Sequence, residues 1–412
     1  MEFLTHTLPN GLEIVAECNG QAHSTAVGFF VRTGSRDESD AIAGVSHFLE
    51  HMMFKGTATR SADDVNREFD EMGAHYNAFT NEENTVYYAA VLPEYLERAV
   101  ELLGDILRPS LREEDFDTEK QVILEEIQMY EDQPPFGADE KARSLYYGPH
   151  PLGRSVLGTL GSVGALPVEA MRDYCRRRYR PGNIVLAGAG RIDFDRLVAV
   201  AAQTCGNWEP SECPRPLTAA APRDGFRAIF KEAAAQQYVV QLGPGPGAHG
   251  TDRYAAKLLS TVLGDDSGSR LYWELVDPGL AEHASLSHCE HEDNGLMLTY
   301  MCCDPDCAAE NLQRILGVYQ LAERDGITAA ELEQAKNKVR SRIVVSGERP
   351  RGRLFPVGVD WVYRREYRSD REELDAVGAV TLDEVAAVMV KYPLSRSATV
   401  TIGPLDELSP PQ

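Results

Sequence analysis

Long hydrophobic runs are absent from this chain, and with them any membrane-spanning helix. No apolar stretch of its 412 residues approaches the roughly 18 that a span requires. The N-terminus, M-E-F-L-T-H-T-L-P-N-G, lacks a basic region followed by an apolar one, so no signal peptide is read there. It also lacks the Arg-rich, acid-poor character of a transit peptide, and a cytoplasmic location is the expectation. Positive charge is scarce: 41 Lys and Arg stand against 64 Asp and Glu, a formal net charge of -23. A polyanion needs a basic face, so nucleic acid is excluded as a partner, whereas basic peptides are permitted. No C-x-x-C occurs among the eight scattered cysteines, so neither a disulfide framework nor a cysteine zinc site is implied. Cys302, Cys303 and Cys307 cluster with Asp304 and Asp306 between them, which reads better as a strand end entering a turn than as a metal site.

What is present is an ordinary globular composition, 43% hydrophobic and 25% charged, and one dense stretch of chemistry. Residues 43–57 read A-G-V-S-H-F-L-E-H-M-M-F-K-G-T. On a helix, His47 and His51 lie one turn apart on the same face, roughly 6 Å along the axis, and two imidazoles so placed can hold one zinc ion. Glu50 stands beside them, where its carboxylate reaches a water on that ion and acts as general base. The order H-x-x-E-H inverts the H-E-x-x-H pattern of zinc peptidases. Alone, five residues also suit a plain helix with two half-buried histidines. A catalytic zinc needs a third protein ligand and keeps a position open for water. The helix expected over 112–130 offers Glu126, 75 positions after His51, with Glu125 as its neighbour; adjacent helical positions point about 100° apart, so one of the two can serve. Glu119 lies two turns before Glu126 on the same face, suited to orienting a ligand.

Periodicity and turn signals organise the rest. Pro9-Asn10-Gly11 marks a hairpin between strands 3–8 and 12–18. Further strands are expected at 24–33, 75–79, 84–91 and 183–192, and helices at 96–107, 112–130, 167–178 and 194–205. Residues 136–160 look loop-rich with a short helix. The Pro- and Ala-rich residues 209–223 read as a linker. The second half then repeats the order of the first, with strands at 228–231, 237–242, 281–289, 295–303 and 398–402. A helix at 252–263 takes the place of the histidine helix, and 269–275, 308–324, 328–346 and 382–391 also read as helical. Two halves of matching order suggest a duplication, with domains at 1–208 and 224–412. Only the first carries H-x-x-E-H.

Three stretches together, V-S-H-F-L-E-H-M-M-F-K-G-T, N-A-F-T-N-E-E-N-T-V-Y-Y and E-K-Q-V-I-L-E-E-I-Q-M-Y-E-D-Q-P-P, resemble the pitrilysin (insulinase-type, M16) zinc peptidases. The half-length, processing-peptidase-like branch fits best, and the opening L-P-N-G-L-E-I-V agrees with it. The resemblance spans essentially the whole chain. It implies Zn2+ held by His47, His51 and Glu126, Glu50 as base, and Glu119 as a further catalytic carboxylate. It also implies an α+β fold of two similar duplicated domains, each a mainly antiparallel sheet packed with helices. Substrate peptide would be held extended on an edge strand matching Asn77, Ala78 and Phe79, a general mode of peptide capture. Half-length members pair two chains around an enclosed chamber, so a homodimer or a heterodimer with a related chain is expected.

The second half departs from the pattern. Family members carry a stretch like S-R-L-F-x-x-V-R-E-K-x-G-L-A-Y, whose second Arg and final Tyr contact substrate. Here Ser269 to Glu282 reads S-R-L-Y-W-E-L-V-D-P-G-L-A-E, one residue shorter, without that Arg and with Glu282 for the Tyr. A partner chain supplying the pair, substitution by His283 or His288, and weak activity are the competing explanations. The reading is a zinc-dependent endopeptidase acting on peptides or unfolded segments. Its alternative is a weakly active or inactive zinc-binding scaffold subunit of a heterodimer.

Overall fold

The structure, a computed structural model, describes residues 1–411. The chain forms two compact units, and they are not consecutive halves. The first comprises Met1–Ile127, Ser155–Pro216 and Val344–Arg368; the second comprises Gln128–Arg154, Leu217–Ile343 and the residues from Ser369 onward.

The first unit is built on six strands: β1 (Glu2–Thr7), β2 (Glu13–Cys18), β3 (Thr25–Val31), β4 (His75–Thr80), β5 (Thr85–Val91) and β6 (Ile184–Gly190). Their order is β1-β2-β6-β3-β5-β4, with only β2 and β6 parallel. Pro9-Asn10-Gly11 turns β1 into β2 as expected: Gly11 takes the left-handed φ of +92° that the turn requires, and Asn10 Oδ1 accepts from Leu12 N at 3.2 Å. Every residue of β3 is buried, because helices cover both faces of the sheet. One face packs Phe30, Val86 and Tyr88 against the helix Pro350–Arg364. Gly358 of that helix lies so close to the Phe30 ring that no side chain fits there. The other face carries the histidine helix, Val45–Met53, against β4 and β5. Strand β4 is the open edge, and its residues alternate between exposed and half-buried.

The second unit repeats the plan with β7 (Gly225–Phe230), β8 (Gln237–Gly245), β9 (His283–Glu290), β10 (Gly295–Cys303) and β11 (Ala398–Gly403). Their order, β7-β11-β8-β10-β9, matches β2-β6-β3-β5-β4 strand for strand, and the parallel pair, β7 with β11, falls at the same place. Helix Arg253–Gly264 packs on edge strand β9 as the histidine helix packs on β4. The fold is thus α+β, with two similar units that are mainly antiparallel sheets packed with helices.

The short helix expected within 136–160 is Ala138–Tyr147, which buries Ala142, Tyr146 and Tyr147 against the second sheet. Two other readings differ from the structure. Residues 347–381, for which no element was assigned above, form helices Pro350–Arg364 and Asp370–Ala379; the first tolerates Pro356 because tertiary packing outweighs propensity. Ser269–Leu275 is not a regular helix but leads into one wide π-type stretch, Tyr272–Val276. As expected, the cysteine cluster is a strand end followed by a tight turn, Pro305–Cys307, capped by Asp304. All eight cysteines are free. Among the described residues no helix is long and apolar enough to cross a membrane.

Candidate metal centre

The histidine helix is seated by its apolar face. Val45, Phe48, Leu49, Met52 and Met53 are buried, and Phe48 stacks on Phe116 of the long helix Glu113–Asp132, with ring centroids 4.7 Å apart. Its first turn exposes backbone N–H groups that need acceptors. The buried Glu38 carboxylate provides them, accepting from Gly44 N and Ser46 N, both at 2.7 Å. A carboxylate there also complements the positive end of the helix dipole. Gly44 itself has φ +91° and lies against Leu157 O, where a Cβ would sit 2.5 Å away.

This seating turns His47, Glu50 and His51 toward the long helix. Along that helix Phe116, Glu119, Ile123 and Ile127 are buried, one stripe facing inward, and the stripe carries Glu126 past the histidines. Glu126 Oε2 lies 3.8 Å from His47 Nε2 and 3.9 Å from His51 Nε2. Ligand atoms of the three residues all fall within 4.8 Å of one another, the one such group of three or more His, Cys, Asp or Glu among the described residues. Glu125 is exposed and lies outside that group.

The donor set fits zinc. Zinc–ligand bonds of 2.0–2.2 Å in a tetrahedron place neighbouring ligand atoms about 3.3–3.6 Å apart, a few tenths of an ångström below the 3.8 and 3.9 Å from Glu126 to the two imidazoles. The buried His47 Nδ1 has no hydrogen-bond partner, and burial, with His51 beside it, pushes the His47 pKa down to about 3, leaving a neutral imidazole. His51 Nδ1–H donates to Glu119 Oε1 at 2.9 Å, which leaves the Nε2 lone pair facing Glu126. Burial works against a charge on His51, but the Glu119 hydrogen bond and the nearby carboxylates hold its pKa above 6.5. Burial pushes Glu126 up. It also raises Glu50, against a hydrogen bond from Thr80. At Glu119 burial is outweighed by the hydrogen bonds from His51 and Lys55, and the net shift is downward.

Two residues at this centre escaped the sequence reading. Lys55 Nζ lies 2.6 Å from Glu119 Oε2; its position one turn after His51 was the available signal. Thr80 Oγ1 donates to Glu50 Oε2 at 2.5 Å. It closes the strand that begins with His75 and includes Asn77, Ala78 and Phe79. Strand alternation sets Ala78 and Thr80 on the same face of the sheet. Phe79 points to the other, where its ring meets Phe355 of the helix Pro350–Arg364 at 6.0 Å. In the second unit, His288 Nε2 is 2.7 Å from the Pro246 carbonyl, His283 Nε2 is 3.0 Å from Ser285 Oγ, and Glu282 accepts from Gln236.

Comparison with known proteins gives the family. Residues 13–160 match the model of insulinase, peptidase family M16, and residues 165–339 match that of the peptidase M16 inactive domain. The chain belongs to peptidase family M16. An uncharacterized zinc protease of Mycobacterium tuberculosis is 35% identical over 408 residues, covering 97% of this chain and 92% of its own. The mitochondrial-processing peptidase subunit beta of Saccharomyces cerevisiae is 30% identical over 406 residues, 92% of this chain and 86% of its own. A protease from Helicobacter pylori shares the fold with a TM-score of 0.92 at 22% identity, covering 98% of this chain and 99% of its own. Zinc is the metal of M16 proteins. The absence of H-x-x-E-H from the second half agrees with the name of the domain matched there.

Proposed function

We propose that this M16 protein is a zinc-dependent endopeptidase that cuts peptides or unfolded segments. The observation that carries the reading is the convergence of His47, His51 and Glu126 within 4.8 Å, with Glu50 on the next helical position. His47 and His51 through their Nε2 atoms, and Glu126 through its carboxylate, are the metal ligands. Bound there, zinc supplies Lewis acidity to a water and to a peptide carbonyl. Glu50 takes the proton from the attacking water and returns it to the departing amine. Glu119 fixes the His51 ring through Nδ1–H, so that Nε2 remains a ligand. The open edge of β4, at Asn77, Ala78 and Phe79, pairs with substrate backbone as an added strand. An enclosed chamber formed by two paired chains, alike or merely related, would restrict substrates to unfolded ones.

A second reading draws on the second unit. Glu282 stands where the resemblance described above leads one to expect a tyrosine, and it accepts from Gln236. On that reading the chain is a zinc-binding, peptide-binding subunit that depends on a partner for turnover. One experiment separates the two: digestion of a mixed peptide library by the purified, zinc-loaded chain, beside Glu50→Gln and a chelator control. The peptidase reading expects cleavage that the substitution reduces by about 10²- to 10⁴-fold while zinc remains stoichiometric. No cleavage by the native, fully zinc-loaded chain removes the stand-alone enzyme.

A further inference from the structure

The hydroxyl of Thr80 is the one protein group that donates a hydrogen bond to the Glu50 carboxylate among the described residues. It binds Oε2 only, so Oε1 takes no hydrogen bond from the protein. The two oxygens are thereby distinguished, one tethered and one free to accept a proton.

The tether is rigid. Thr80 ends β4, paired with Thr85 of β5, and the turn that follows is tightly braced. Asn81 Oδ1 accepts from Glu83 N at 2.8 Å and Asn84 N at 2.6 Å, while Asn81 N donates to Asn84 O at 2.9 Å. Arg36 N donates to Glu82 O at 2.8 Å, and the Arg36 guanidinium donates to the buried Glu83 carboxylate at 2.7 Å. Thr85 Oγ1 donates to Thr33 O at 3.0 Å and lies 3.4 Å from Thr80 Oγ1, a much longer contact for the Thr80 proton than the 2.5 Å to Glu50. A threonine so held offers its hydroxyl in a fixed place, and a donor bound to an ionised acceptor makes a strong hydrogen bond. Holding a base in one orientation before substrate arrives removes a search from the reaction.

We propose that Thr80 is the positioning residue of the base. It anchors Glu50 Oε2 from the end of the strand that pairs with substrate, so that Oε1 presents to the attacking water. The inference rests on the peptidase reading above and adds a residue to it. It also ties the docking edge to the base: the last residue of β4 belongs to both. A tether of this kind acts on turnover and leaves the backbone groups that hold the peptide untouched.

The test compares Thr80→Val, which keeps the shape and removes the donor, with Thr80→Ser, which keeps the donor. Both are made in the full-length zinc-loaded chain, with zinc content measured for each. Thr80→Val is expected to lower kcat by about 10- to 100-fold with KM within about threefold of native, and Thr80→Ser to return kcat to within about threefold. Native kcat in Thr80→Val would overturn the proposal. Equal loss in both variants, or a loss carried by KM, would also overturn it, because it would mark a damaged strand. Crystal structures of native and Thr80→Val chains decide the matter without turnover. The native carboxylate should hold one orientation on Thr80, and the valine variant should lose it; an unmoved carboxylate would refute the tether. A native chain that cuts nothing while showing that single orientation would remove the peptidase reading and leave the tether standing.

Discussion

Lys55 Nζ sits 2.6 Å from Glu119 Oε2, and the other oxygen of the same carboxylate accepts from His51 Nδ1–H at 2.9 Å. A cation, a carboxylate and an imidazole thus stand in line behind the metal centre, with the histidine helix contributing both ends. Glu119→Gln is expected to weaken zinc binding by about 10- to 100-fold, because the amide oxygen can still accept from Nδ1–H but no longer carries the charge that raises the ring's basicity. Lys55→Met should cost less than tenfold, since the lysine side chain is 38% exposed and its pairing is screened by water. Competition against a chromophoric chelator measures both. A larger effect at Lys55 than at Glu119 would contradict this order.

The two histidines should titrate far apart in the zinc-free chain. Burial holds His47 neutral down to about pH 3, while at His51 burial is outweighed by the Glu119 hydrogen bond and the nearby carboxylates, which raise its pKa above the usual imidazole value. Zinc requires neutral imidazoles. On acidification the competing proton therefore goes first to His51, and zinc affinity falls as the pH drops through the His51 pKa. Ring-proton NMR of the zinc-free chain checks the order, and a His47 that titrates above His51 would reverse the assignment.

Arg215 belongs to the stretch that reads as a linker, yet its side chain is 1% exposed and pairs with Asp37 at 2.7 Å. It also donates to Glu83 O at 2.5 Å, within the turn that follows β4. Removing one partner of a buried ion pair leaves the other charge uncompensated. Arg215→Ala is expected to destabilise the first unit by about 3 kcal/mol, the low end of the usual range because Arg178 still faces Asp37. Arg324→Ala, an exposed pair with Asp325, should leave the urea midpoint unchanged. Equal midpoints for the two variants would refute the prediction.

Glu331 serves two partners in the second unit. It accepts from Arg270 Nε at 2.7 Å and caps its own helix by accepting from Thr328 N at 2.7 Å. The Arg270 hydrogen bond, with the Thr328 cap, holds its carboxyl down from 4.5 to about 2. A depressed carboxyl stabilises the fold above its unfolded pKa, and that contribution disappears as the pH falls through the folded value. The stability gap between native and Glu331→Gln chains should be full at neutral pH and should close between pH 4.5 and about 2. A gap that does not vary with pH would place the effect in packing instead of charge.

Much of the centre was legible without coordinates because its spacing is local. His47, Glu50 and His51 share one turn of helix, and helical geometry alone puts them on one face. Glu119 and Glu126 were legible for the same reason, two turns apart on one stripe. The choice between Glu125 and Glu126 was open to residue-level reading, since a phase error of one residue turns a side chain by about 100°. In the structure Glu126 lies beside both histidines, and Glu125 is exposed. Thr80 was hidden because it meets Glu50 only where a strand end crosses a helix. Glu38 was hidden because the loop between it and Gly44 has no periodicity to announce a cap.

The sequence by itself determined the secondary elements whose apolar period is strong, the repeated strand order and the one-turn grouping of His47, Glu50 and His51. These follow from short-range rules, in which a residue's neighbours set its direction. Only the tertiary structure decided which chain segments complete which unit. Helix Ala138–Tyr147 serves the second sheet and helix Pro350–Arg364 the first, so neither unit is a continuous stretch. A helix is amphipathic toward whatever covers it, and its own sequence states that an apolar face exists without naming the surface that buries it. The tether from Thr80 to Glu50 and the burial of Arg215 have the same origin: each joins residues far apart in the chain through contacts that form only once the sheet has been assembled.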